Sequence, residues 1–145
     1  MMAKKLEVTI YTDGACQGNP GPGGWGVLIR HGSHEKELSG GAKNTTNNRM
    51  ELQAAIEALR ALKEPCQVTL YTDSEYLKKG ITEWLPNWKQ RNWKRKGGAL
   101  ANVDLWRALD EEIGSHEIHW RWVRGHAGNS FNERVDRLAR RAIPE

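Results

Sequence analysis

Residues Leu6–Thr12 alternate apolar and polar side chains, the period-two pattern of a strand with one buried face. The turn-rich stretch GNPGPGG (18–24) ends it, and a second strand-like run spans Trp25–Arg30. Glu35–Ser39 supplies a third after the His31-Gly32-Ser33 turn, so the first part of the chain predicts an antiparallel meander. The period then lengthens. Leu52, Ala55, Ile56, Leu59 and Leu62 recur at helical spacing within Thr46–Leu62, and Pro65 closes the segment. Val68–Thr72 predicts a fourth strand, Ser74–Ile81 a short helix, Val103–Ile113 an amphipathic helix and Glu117–Val123 a fifth strand. Ser130 and Glu133 have capping-box spacing and open a last helix ending near Ile143.

The first strand, the 46–62 helix and the fourth strand make a βαβ unit, whose right-handed crossover sets the two strands parallel. Strand one would then have the meander on one side and a parallel strand on the other, a switch point where open α/β sheets bind ligands. The two strands also end alike, on Tyr11-Thr12-Asp13-Gly14 and Tyr71-Thr72-Asp73-Ser74. As neighbours running the same way they would bring Asp13 and Asp73 together. Such a pair repels itself unless a cation or a proton intervenes. Glu51, in the first turn of the first helix, and Asp136, in the last, are candidates to join it. Each acid also has a plainer explanation: Asn48 and Glu51 have capping-box spacing, Asp136 stands four residues before Arg140, and Asp before Gly or Ser is common in turns.

At 145 residues, 38% apolar and 28% charged, the chain reads as one soluble globular domain over 1–145. No apolar run approaches the roughly 18–20 residues of a membrane span, and the first residues do not form a secretory leader, so a cytoplasmic protein is expected. Cys16 and Cys66 follow no metal-binding spacing, which argues against zinc and against a disulfide. Charge changes the picture more. The total is +4, yet residues 78–96 hold seven cations, Lys78, Lys79, Lys89, Arg91, Lys94, Arg95 and Lys96, against Glu83 alone. The rest of the chain is therefore net acidic. Trp84, Trp88 and Trp93 interleave with those cations, a combination that suits a nucleic-acid surface in a protrusion over about 78–98, although a solvated basic face has the same charge.

Five blocks in order, YTDGACQGNPGPGGWG (11–26), TTNNRMEL (45–52), YTDSEY (71–76), NVDLW (102–106) and GHAGNSFNERVDRLAR (125–140), resemble type 1 ribonuclease H. The resemblance covers about Glu7 to Arg141 and implies a ribonuclease H-like α/β fold: a mixed five-stranded sheet, antiparallel meander plus parallel strands, with helices on both faces. It further implies cleavage of the RNA strand of an RNA–DNA hybrid, with two Mg²⁺ ions at work and Mn²⁺ able to substitute; a monomer is the default expectation. The family's metal-binding carboxylates fall on Asp13, Glu51, Asp73 and Asp136, and its mobile catalytic histidine on His126, in a glycine-flanked loop. Hard oxygen ligands without cysteine suit those ions.

By the same resemblance the RNA strand meets backbone at Gly14 and Cys16 and the side chains of Asn19, Asn47 and Asn48. The DNA strand meets Thr46 and Asn87 at a phosphate, with Trp84, Trp88, Lys89, Arg91, Trp93 and Lys94 lining its path. Two positions depart from the commoner pattern. Glu75 stands where a glutamine often contacts substrate, and Pro86 argues against one continuous helix over 74–91. Transposases, integrases and junction resolvases resemble the same acidic cleft, but TTNNRMEL and the Trp-rich segment count against them. A silent hybrid binder would gain nothing from four acids where phosphate must approach.

Overall fold

The computed structural model describes residues 5–93, 101–123 and 130–145. Strands β1 (Leu6–Cys16), β2 (Gly21–His31) and β3 (His34–Thr45) are followed by α1 (Asn47–Arg60), β4 (Cys66–Thr72) and α2 (Glu75–Lys79). A π-helical turn, Gly80–Trp84, leads into α3 (Leu85–Gln90), and α4 (Val103–Ile113), β5 (Glu117–Trp122) and α5 (Ser130–Arg141) complete the order. The sheet runs β3-β2-β1-β4-β5. Its first three strands are antiparallel neighbours, whereas β1–β4 and β4–β5 are parallel, as the meander and the βαβ unit require.

Helices cover both faces. On one, Leu52, Ala55, Ile56 and Leu59 of α1 pack on Val8, Ile10, Val27, Val68 and Leu70. On the other, Val135 of α5 packs with Tyr11 and Leu28. The meander strands are longer than the alternation predicts, because the glycine-rich stretch is itself strand: Gly23 and Gly24 pair with Cys16 and Ala15. Those glycines carry no side chain for a second reason. A Cβ on Gly26 would lie 2.6 Å from the Val135 carbonyl oxygen, and one on Gly24 would strike that of Ala139, so α5 lies flush on β2.

Two local expectations are corrected. The first helix is capped by Thr46, whose Oγ1 accepts from Arg49 N at 3.2 Å, which leaves Glu51 free of a capping role. Pro86 does not interrupt the chain, since helical backbone continues from Glu75 to Gln90. It is not one regular α-helix, however. The wider π turn, in which Leu85 N–H donates to Gly80 O, stands directly before the residue that has no N–H to donate. Ser130 is already helical, so its cap falls outside the described residues.

Candidate active site

Parallel pairing aligns Tyr11 with Tyr71, which keeps the two repeated tetrapeptides level. The tyrosine rings stack at 4.9 Å and the threonines that follow are both buried. Two residues on from the tyrosines, Asp13, still within β1, and Asp73, just past the end of β4, stand side by side. Glu51 arrives from α1 across Gly14, where a Cβ would lie 2.6 Å from Glu51 N. One carboxylate oxygen from each of Asp13, Glu51 and Asp73 lies within 4.8 Å of the others.

The cluster is short of donors. Asp13 Oδ1 accepts from Gly14 N at 3.0 Å, but Asp13 Oδ2 and Glu51 Oε2 are buried and meet no hydrogen-bond donor among the described residues. Burial first, then the Asp73 charge, then Asp136 push the Asp13 carboxyl up to about 8. Burial, followed by Asp13 and Asp73, holds Glu51 well above the usual carboxylate range. Buried, donor-poor anions of this kind call for a cation, and an all-oxygen set with no sulfur fits a hard divalent one.

Asp136 completes the cleft from α5 while its Oδ2 takes Arg140 Nε at 3.1 Å. Both roles weighed for it in the sequence therefore coexist, as cleft wall and as partner of Arg140. Glu75 is exposed on the cleft rim at the start of α2, where Ser74 Oγ accepts from Leu77 N. Asn47 and Asn48 line the same cleft, and Asn19 Oδ1 accepts from Asn47 N at 2.8 Å. Gly14, Cys16 and Asn47 border a second groove beside it, where Cys16 Sγ lies near the carbonyls of Gly21 and Thr45.

The Trp-rich flank differs from expectation. Trp84 and Trp88 are not free platforms; their rings sit 5.8 Å apart and join Tyr76 and Trp106, with Trp106 fully buried. Large rings gain more by covering the core than by standing in water, so the tryptophans anchor the flank and leave part of each ring exposed. Asn87, Lys89 and Arg91 are exposed beside them, Lys89 within 3.2 Å of Asp110, and Arg107 stands over Trp93. His126 and Lys94 lie outside the described residues.

Sequence reasoning missed one network. Arg49 forms a bidentate pair with Asp104 and donates to Asn102 Oδ1; Asn102 Nδ2 and Trp106 Nε1 both donate to the Tyr76 hydroxyl on the cleft wall. NVDLW was a visible signal, but only the fold shows that it reaches α1 and α2.

Fold and cleft together define an α/β protein whose carboxylates gather where the parallel pairing of β1 and β4 stops. The family model described as RNase H matches residues 5–144. Ribonuclease H of Bordetella bronchiseptica is 61% identical over 138 residues, covering 94% of this chain and 89% of the relative. Ribonuclease HI of Pseudomonas aeruginosa is 58% identical over 145 residues, 99% and 98%. Among solved structures, LC9-RNase H1, described as a type 1 RNase H with the type 2 active-site motif, superposes with a TM-score of 0.90 at 38% identity, over 99% of this chain and 74% of that one. LC11-RNase H1, solved in complex with RNA/DNA hybrid, gives 0.72 at 25% identity, over 94% and 96%. The chain belongs to the ribonuclease H family, as a type 1 member of the bacterial kind, and is thereby a nuclease-class hydrolase.

Proposed function

We propose that the protein is an endonuclease that hydrolyses the RNA strand of RNA–DNA hybrids and leaves 5′-phosphate and 3′-hydroxyl ends. The observation that carries this reading is the buried, donor-poor pair Asp13 and Glu51 beside Asp73, in a ribonuclease H family member. Asp13, Glu51, Asp73 and Asp136 would hold two Mg²⁺ ions, with Mn²⁺ able to substitute. When bound, the two ions supply an activated water and charge stabilisation at the leaving oxygen. Asp13 would be the central ligand, because Glu51, Asp73 and Asp136 reach the cleft around it from three different parts of the fold. His126 moves a proton or helps product leave.

Hybrid specificity requires reading a 2′-hydroxyl on one strand only. Asn47 and Asn48 beside the carboxylates can donate to and accept from such a group, and Asn19 holds the start of α1 from below. The hybrid bound by LC11-RNase H1 supports this substrate. Thr46 and Asn87 would take a DNA phosphate, with Lys89, Arg91, Trp93 and Lys94 along the strand. No helix among the described residues is long and apolar enough to cross a membrane. We read the protein as a single-domain, cytoplasmic monomer.

A labelled hybrid incubated with and without Mg²⁺, beside single-stranded RNA, duplex RNA and duplex DNA, tests the proposal. Metal-dependent cleavage of the hybrid's RNA strand alone is expected. Cleavage of duplex DNA, or none of the hybrid, overturns it.

A further inference from the structure

We propose that Arg140 is a substrate-phosphate ligand held in reserve: Asp136 restrains it in the metal-free protein and releases it on taking a divalent cation, so that the guanidinium faces the RNA strand's backbone. The inference rests on the functional reading above and adds a residue that reading does not use.

Three observations converge on it. Arg140 Nε lies 3.1 Å from Asp136 Oδ2, and its side chain is 70% exposed while that of Asp136 is 19% exposed. The arginine therefore reaches in from solvent toward an acid on the cleft wall. Secondly, Arg140 borders the groove next to the carboxylate cleft, together with Gly14, Cys16 and Asn47, the side assigned to the RNA strand. It is the one cation among the described residues lining that groove. A polyanion entering beside several carboxylates needs positive charge close by, and a guanidinium fork suits phosphate.

Thirdly, the other ion-paired arginines among the described residues are committed elsewhere. Arg49 is fixed to Asp104 and Asn102, Arg60 pairs with Glu57 and Glu112, Arg134 ties α5 to Glu35 and Glu37 on β3, and Arg30 also holds Glu35. Their partners stand outside the carboxylate trio. Among these acids Asp136 is the one that also belongs to the cleft, because the oxygen that accepts Arg140 is part of a carboxylate facing Asp13. An Asp136 carboxylate turned to a cation holds Arg140 less firmly, which couples metal loading to the appearance of a free cation at the groove. An ordinary helix-surface pair would have no such coupling.

Arg140→Gln and Arg140→Lys test the proposal in the full-length protein, with Arg137→Gln on the same helix as the control. Two readouts are needed: Mg²⁺ titration of the substrate-free protein by thermal shift, and KM and kcat on a hybrid. Arg140→Gln should bind Mg²⁺ about two- to fivefold more tightly, since an exposed competing pair is lost. It should raise KM about tenfold with kcat within about twofold, as expected for a lost charge-assisted contact made equally in ground and transition states. Arg140→Lys should give an intermediate KM. If either readout matches the Arg137→Gln control, or if kcat falls while KM stays put, the proposal fails. A parent protein that cleaves no hybrid sinks the functional reading and the phosphate contact with it; the Mg²⁺ titration, which needs no substrate, then still decides whether Arg140 and the cation compete for Asp136.

Discussion

The carboxylate cleft and the basic flank use charge in opposite ways. In the cleft, like charges are crowded by strand register and by the close approach of α1 at Gly14, and buried oxygens of Asp13 and Glu51 meet no donor among the described residues. In the flank, Lys89 and Arg91 are exposed at the end of a helical segment that Trp84 and Trp88 bind to the core. The phosphodiester chemistry proposed for the cleft demands defined ligand positions, which would explain an arrangement that carries an electrostatic cost. The attraction of a polyanion proposed for the flank demands only charge in the right region, and its cations stay exposed, Lys89 beside Asp110.

The sharpest way to break the comparison is Asp13→Asn. The amide keeps the shape and loses the charge, so turnover of hybrid should fall by about 10³-fold or more, the scale of losing a central electrostatic element. Metal-free thermal stability at pH 7–8 should rise in the same variant. Unchanged Mg²⁺-dependent turnover would return the repeated Tyr-Thr-Asp to a turn-forming role.

Next in size is Trp106→Ala. This side chain is fully buried, packs against Gly80 and donates to the Tyr76 hydroxyl. Truncation should cost about 3–5 kcal/mol in a denaturant titration. A loss under about 1 kcal/mol would show that the flank does not depend on the core in the way described.

A smaller effect concerns pH. The Asp13 carboxyl is raised to about 8 and Glu51 is raised as well, so between the ordinary carboxylate range and about pH 8 the folded protein binds more protons than the unfolded chain. Stability without metal should therefore be greatest at the acid end of that window and decline as pH rises through it. Each tenfold difference in proton affinity between folded and unfolded chain corresponds to about 1.4 kcal/mol, and sharing of protons within the cluster keeps the total to a few kcal/mol at most. Saturating Mg²⁺ should flatten the dependence in a thermal melt. A metal-free melting temperature that instead climbs steadily from pH 5 to 8 would contradict the burial of these acids.

Smallest in stability terms is Lys89→Gln with Arg91→Gln. Folding should change by less than about 0.5 kcal/mol per site, because both are exposed. Hybrid affinity should weaken, and the slope of log affinity against log salt should become shallower by up to about 0.9 per lost phosphate contact. A variant matching the parent in affinity and slope would make the flank a plain solvated surface.

Much of the molecule was legible in advance, for identifiable reasons. The α4 boundaries, Val103 and Ile113, coincide with the periodic segment because one continuous apolar stripe defines them. Strand extents were underestimated at residues 21–24 and 40–45, where glycine and polar residues erase the alternation although the backbone still pairs. Trp84 and Trp88 read as a binding platform because composition shows an aromatic beside a cation but not which face each ring buries. Asp136 was found by motif, whereas its pairing with Arg140 was visible only as a spacing.

What the chain's order determined by itself is the fold class and the acids that gather in the cleft: period-two runs become strands, a period near four becomes α1, and the repeated Tyr-Thr-Asp marks where the parallel pairing of β1 and β4 stops. Those are local properties, set by side-chain alternation and backbone sterics over a few residues. Tertiary structure alone decided that Glu51 reaches Asp13 across a bare Gly14, that two buried carboxylate oxygens meet no donor among the described residues, and that Arg140 stands between Asp136 of the cleft and a neighbouring groove. Each depends on elements far apart in sequence meeting at atomic distance, and burial and proximity, which move a carboxyl to about 8, exist only once the sheet and its helices have closed.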